Sequence, residues 1–234
     1  MKIALVNGER QAAQPSVSGE CQSCGRPMIA KCGEQRVWHW AHQGQLMCDR
    51  WWENETEWHL NWKGVFPDAW REIVHTAADG TRHIADIKTE HGWVIEFQHS
   101  AIKPEERRSR DAFYGRIIWV VDGTRRKRDA AQFERAWIDG RAVGRNGIVR
   151  NLFVAESALL REWSSCQGPV LFDFGGSMLG WLLPGRHDDR VYVAQFPRAQ
   201  MVHILRTGIA EPGLSFDGLL AELRTNYEAH RRSR

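Results

Sequence analysis

The sequence predicts an α/β (α+β) chain, a mixed sheet flanked by helices behind a small N-terminal segment of zinc-ribbon type. Three observations predict it. From residue 50 to about 138 the apolar periodicity runs helix, three meandering strands, helix, strand, helix. Residues 115–123, GRIIWVVDG, are a nearly unbroken apolar run of the kind a buried strand shows. Cys21, Cys24, His39 and His42 crowd four soft or borderline metal ligands into the first fifty residues.

The elements follow in order. KIALV is a possible first strand, and the polar stretch 8–20 (GERQAAQPSVSGE) reads as loop or linker. Strand-like pieces occupy 27–31 and 36–41 inside the Cys/His segment. Residues 50–64 read as a helix with Asn54 as N-cap and Pro67 as stop; Glu55, His59 and Lys63 recur every fourth residue along it. Strands at 71–77, 82–88 and 93–99 come next, the first two joined by an Asp79-Gly80 turn. Pro104-Glu-Glu opens a helix over 104–114, with proline in its first turn and acids at its positive end. A helix near 128–138 follows the buried strand. Beyond 150, short strands (150–155, 169–174, 179–183, 190–195) alternate with helices near 156–163, 197–207 and 216–230. This divides the chain into a zinc-binding segment (1–49), a central core (50–165) and a C-terminal α/β extension (166–234).

A chain of 234 residues has room for one large core or two smaller domains, and its 42% apolar and 26% charged residues are ordinary for a globular protein. No apolar run spans a membrane, and MKIALVNGERQ turns polar too soon for a signal peptide, so the expected location is cytoplasmic with no membrane partner. The net charge is only +3, but basic residues cluster at 105–110 (EERRSR), 124–128 (TRRKR) and 230–234 (HRRSR). Each run alone is a solvated surface; together they suit a polyanion partner. Seven of the 12 tryptophans fall between residues 38 and 70 and are expected mostly in the core.

Five cysteines, an odd number, do not read as a disulfide framework. Cys21-Gln-Ser-Cys24 and His39-Trp-Ala-His42 supply the four ligands that Zn²⁺ takes tetrahedrally, with Gly25 suited to the tight turn behind the knuckle. Cys48 is an alternative to one of the histidines, and Cys32 a weaker candidate. A site closed by four protein ligands is structural and does no chemistry itself.

Residues 83–100, HIADIKTEHGWVIEFQHS, carry the chemistry. Asp86 ends one short strand, and Glu96 and Gln98, two apart on the next, share a face opposite Ile95 and Phe97. An acid, a turn and a Glu-x-Gln pair make a pocket for a hard divalent cation with a polar group beside the water it activates.

C-x2-C-G-x-P, W-H-W-A-H, E-W-H-L-x-W-K, I-A-D-I, V-I-E-F-Q-H-S and R-I-I-W-V-V-D run in order from about residue 21 to 123. Together they resemble the competence protein CoiA-like nuclease family. The resemblance implies the PD-(D/E)xK superfold, a restriction-endonuclease-like mixed sheet flanked by helices, and a Mg²⁺- or Mn²⁺-dependent deoxyribonuclease in competence, recombination or phage-related DNA processing. It places Asp86 and Glu96 on the Mg²⁺ or Mn²⁺ and Gln98 where most relatives carry lysine. Lysine supplies a charge that an amide lacks, so another cation must stand in. Lys63 is the first candidate and Lys88 the second. Glu55 or Glu57 supplies a helical acid, and His59 binds phosphate or acts as general base. His83, His99, Ser100 and the arginines of 105–110 are candidate DNA contacts.

The expected partner is single- or double-stranded DNA, with DNA-processing proteins and a homodimer as further possibilities. The alternative is a DNA-binding or docking module whose catalysis is weak or lost, which the missing lysine favours. A third reading is a defence effector cutting DNA or RNA. No P-loop, nucleophile elbow or dinucleotide glycine fingerprint points elsewhere.

Overall fold

A computed structural model describes residues 1–35, 37–44, 48–49, 51, 55–143, 147–187 and 189–232. The chain is a mixed α/β protein that divides into two compact units, Met1–Lys88 and Thr89–Arg234.

The first unit opens with an antiparallel sheet of β1 (Ile3–Val6), β2 (Glu9–Ala12), β3 (Ser18–Glu20), β4 (Pro27–Lys31) and β5 (His39–His42), in the order β2-β1-β3-β4-β5. Residues 8–20, expected as loop, thus carry two strands. Asn7 and Gly8 both take positive φ (54° and 83°), as the two-residue turn between twisted antiparallel strands requires. Met1, Ala4, Ala13, Cys21, Met28 and Trp40 form the core beneath this sheet. Trp40 lies over Gly19, where a Cβ would stand 3.3 Å from its ring and 2.9 Å from the Leu5 carbonyl.

Helix α1 (Glu57–Gly64) is capped by Thr56, whose hydroxyl accepts the His59 N–H while the His59 ring accepts the Thr56 N–H. Asn54, the expected cap, lies outside the described residues; the helix starts at Glu57. A hairpin of β6 (Arg71–Thr76) and β7 (Arg82–Lys88) completes the unit, turning at Asp79-Gly80, where Asp79 accepts the Thr81 N–H. Long-range polar contacts cross residue 49, the expected end of the zinc-binding segment. Asp49 accepts the Ile84 N–H, Arg82 donates to the Ser23 carbonyl, and Ile84 packs on the N-terminal core.

The second unit holds β8 (Val94–Gln98), α2 (Pro104–Tyr114), β9 (Ile117–Asp122), α3 (Asp129–Asp139), β10 (Arg141–Val143), β11 (Val149–Phe153), α4 (Ala158–Trp163), β12 (Val170–Asp173), β13 (Met178–His187), β14 (Arg190–Pro197), α5 (Arg198–Thr207), β15 (Ile209–Glu211), β16 (Leu214–Ser215) and α6 (Phe216–Arg232). Its mixed sheet runs β10-β11-β14-β13-β12-β9-β8; β8, β9 and β12 are parallel and the remaining pairs antiparallel. Every residue of β8, β9 and β12 is buried, which is why β9 and β12 read as near-continuous apolar runs, while β8 takes Glu96 and Gln98 inside with it. Residues 166–234 were expected as a separate extension, yet β12 pairs with β9 over Val170–Asp173 and shares its sheet. Among the described residues no helix is long and apolar enough to cross a membrane.

Candidate functional site

Four ligand atoms converge in the first unit. Those of Cys21, Cys24, His42 and Cys48 all lie within 4.8 Å of one another. Cys21 Sγ and Cys48 Sγ are 3.5 Å apart, and Cys24 Sγ and His42 Nε2 are 3.4 Å apart. Tetrahedral zinc with ordinary bond lengths spaces two sulfurs by about 3.8 Å and a sulfur and a nitrogen by about 3.6 Å. The cluster therefore fits zinc, and its thiolate-rich donor set favours zinc over a hard cation. The knuckle is closed by Gly25, at φ +70°, whose N–H donates to the Cys21 carbonyl.

His39, expected as a ligand, is not among the four. The H-x2-H pair lies on a strand, where residues three apart point to opposite faces, so His39 and His42 cannot meet one ion. His39 Nδ1 sits 3.0 Å from the Val37 carbonyl instead. Cys48 takes the fourth place, as the alternative ligand set allowed. Burial, reinforced by the Cys21 and Cys24 sulfurs, pushes the Cys48 thiol far above the ordinary cysteine range. Burial also raises Cys24, but the Arg26 backbone N–H and hydrogen bonds from Cys21 and Cys48 outweigh it and lower that thiol. Burial, the N-terminal ammonium and Arg26 lower His42, keeping its imidazole neutral and able to ligate.

A second constellation in the same unit centres on Lys63. Its Nζ lies 2.7 Å from Asp86 Oδ1, 2.5 Å from Glu55 Oε1 and 3.7 Å from Glu72 Oε1. Burial opposes the charge of Lys63, yet Asp86, Glu72 and Glu55 together hold its pKa well above that of an ordinary lysine. The side chain is therefore a fixed cation and no general base. Of the two expected helical acids, Glu55 reaches Lys63 and Glu57 is exposed. His59, the expected phosphate ligand or general base, is buried with its Nδ1 in the α1 cap. Lys88 Nζ lies 3.5 Å from His75 Nδ1.

In the second unit, Glu96 and Gln98 alternate with Ile95 and Phe97 along β8 as expected, but both are fully inside. Glu96 Oε2 accepts from Arg110 at 3.1 Å, and the other arm of that guanidinium donates to Glu106 at 2.6 Å. Gln98 Nε2 donates to the Ser100 carbonyl (3.1 Å) and hydroxyl (3.3 Å).

The expected phosphate-contacting arginines are largely inside as well. Arg107 is buried, donating to Ser165 Oγ and the Glu162 carbonyl, and Arg110 is buried on Glu96. Of that run Arg108 is exposed, paired with Glu105 at 3.3 Å. Helical spacing decides this: positions 107, 110 and 114 share the buried face of α2, so Arg107 and Arg110 carry their charges inward. Arg125 and Arg126 likewise pair with Glu162. His83 is held by Asp49 (2.7 Å) and stacked under Trp51, with ring centroids 3.3 Å apart. His99 lies 2.7 Å from the buried Asp122.

Sequence reasoning missed Glu72, Asp49 and the inward role of Arg110. Glu72 had no local signal, because its partners on β1 lie about 70 positions away along the chain.

Compared with known proteins, residues 11–50 match a family model described as Competence protein CoiA, N-terminal domain. That match covers Cys21, Cys24, His42 and Cys48, and so contains the whole metal-binding cluster. No curated protein and no solved structure matches the chain.

Proposed function

We propose that this chain is a divalent-metal-dependent nuclease acting on DNA in a competence-related process, stapled by a structural zinc on Cys21, Cys24, His42 and Cys48. The observation that carries the reading is the buried ammonium of Lys63, 2.7 Å from Asp86. The resemblance puts Gln98 where most relatives carry lysine, and Lys63 supplies a permanently charged substitute beside one of the two expected metal-binding acids. The similarity of residues 11–50 to the CoiA N-terminal domain supports the competence context. The element order β6, β7, β8, α2, β9 is the order expected of a restriction-endonuclease-like core.

Asp86 and Glu96 are the carboxylates that would hold Mg²⁺ or Mn²⁺, being hard oxygen donors each kept beside a cation, Lys63 or Arg110. Such an ion, when bound, polarises the scissile phosphate and lowers the pKa of a water. Gln98, with its amide nitrogen on Ser100, is the neutral polar group that would orient such a water. Lys63 stabilises the charge that develops on the phosphoryl oxygens.

The test incubates the protein with plasmid DNA, linear DNA and RNA in Mg²⁺ and in Mn²⁺, beside Asp86→Ala and Glu96→Ala. Cleavage by the parent that both variants lose is expected, and equal activity from all three ends the assignment. Gln98 at the lysine position favours a second reading, a DNA-binding module without catalysis. Salt-dependent binding that needs no divalent ion, with no cleavage of any substrate, would select it.

A further inference from the structure

Glu72 belongs to no motif, yet its surroundings single it out. The register Arg71↔Ile87 and Ile73↔Ala85 sets Glu72 directly across from Asp86 on the neighbouring strand. Two carboxylates facing each other on adjacent strands repel, and a cation between them offsets that cost. Lys63 is that cation, within 2.7 Å of Asp86 and 3.7 Å of Glu72.

The other side of the Glu72 carboxylate is held by backbone. Both of its oxygens accept the Lys2 N–H, at 2.8 and 2.9 Å, and Oε2 also accepts the Ile3 N–H at 2.9 Å. These donors belong to the start of β1, whose neighbours Met1 and Ala4 share a core with the metal-cluster residue Cys21. Glu72 is buried and its backbone sits at φ +49°, a conformation that a residue with a side chain keeps only where its contacts over-determine it.

We propose that Glu72 is a positioning residue for the nuclease site. It clamps Lys63 against Asp86 and is itself fixed by the backbone N–H groups of Lys2 and Ile3, so the chain entering β1 holds the catalytic cation in place. The inference rests on the nuclease reading for its catalytic meaning and on geometry alone for the clamp. Glu72 touches no reacting atom in this scheme; it acts through Lys63.

Two measurements on the full chain test it. Brief acetylation followed by peptide mass spectrometry reads the reactivity of each lysine. Glu72→Gln keeps the shape and removes the charge, and is expected to raise Lys63 acetylation about tenfold relative to Lys31 and Lys103 in the same sample. A general loss of structure would raise many lysines together and would overturn the specific clamp. Glu72→Asp keeps the charge but shortens the reach, and is expected to expose Lys63 in the same way should the glutamine variant not fold. Unchanged Lys63 reactivity in whichever of these variants folds also overturns the clamp.

On DNA, Glu72→Gln is expected to lower kcat about tenfold while leaving KM within about twofold. Undiminished kcat in a cleaving protein overturns the positioning role and leaves the nuclease reading intact. If the parent cleaves nothing, the nuclease reading fails, and the acetylation pattern still decides whether Glu72 holds Lys63.

Discussion

Replacing Cys48 by serine, and separately His39 by alanine, distinguishes the ligand set seen in the structure from the one the motif spacing predicts. Structural zinc sites bind with an apparent free energy of roughly 10–16 kcal/mol, so one ligand in four accounts for about 2.5–4 kcal/mol, or roughly 10²–10³ in affinity. Cys48→Ser should weaken zinc by about that factor. His39→Ala should change nothing, because the His39 ring sits on the Val37 carbonyl. Elemental analysis of the parent is expected to give about one zinc per chain, and competition against a chelator of known affinity reads the weakening. Co²⁺ in place of zinc gives a second readout, since its charge-transfer bands scale with thiolate number and should fall by a third when three sulfurs become two. The pH dependence has a definite sign. The Cys48 thiol is held far above the usual range by burial and by the neighbouring sulfurs, and it must lose its proton to ligate. Zinc uptake therefore releases protons, and affinity falls as pH drops. Loss of zinc in His39→Ala together with its retention in Cys48→Ser would refute the reasoning.

Two further predictions concern stability. Burial raises the Asp111 carboxyl, despite its hydrogen bond from Trp119 and the nearby Arg107 and Cys166. The folded state thus binds the proton more tightly than the unfolded chain, and Asp111 weakens the fold above its raised pKa. Asp111→Asn should raise Tm at pH 7, and the gain should vanish as pH falls below the ordinary aspartate value near 3.8; an equal gain at both pH values contradicts the assignment. At Gly168 an added Cβ would stand 2.6 Å from the Ile117 carbonyl, a backbone atom that cannot swing aside, whereas nothing lies within 4 Å at Gly176. Urea titration should show Gly168→Ala destabilised by about 1–3 kcal/mol and Gly176→Ala close to the parent.

What could be read in advance follows from how local each cause is. The strands β9 and β12 declare themselves through apolar runs, β8 through its alternation, and the helix α2 through Pro104, none of which needs a distant partner. The Asn7-Gly8 turn was also local, but it was overlooked inside a polar stretch. The metal cluster was half legible: the C-x2-C knuckle is local, while the choice between His39 and Cys48 depends on β5 being a strand. Lys63, Glu55 and Asp86 were legible from spacing and motif order; Glu72, the third acid at Lys63, was not, because it lies in no motif and its backbone partners are about 70 positions away. Arg107 and Arg110 misled for a related reason. A cluster of arginines looks like surface in one dimension, and only helix geometry sends two of them inward.

The pairing of β9 with β12 has a consequence for how the chain is made. Trp119 meets Val170, so 170 − 119 = 51 residues separate the partners. At roughly 5–20 residues per second, a ribosome needs about 3–10 s to deliver the second strand after the first. Throughout that interval IIWVV has β8 on one side and an open hydrogen-bonding edge on the other, a template for association with other nascent chains. A gene fragment stopped near residue 165 would make that interval permanent, and slower synthesis would lengthen it. The yield of soluble protein should therefore depend on whether the whole reading frame is translated and on chaperones that shelter a single strand edge.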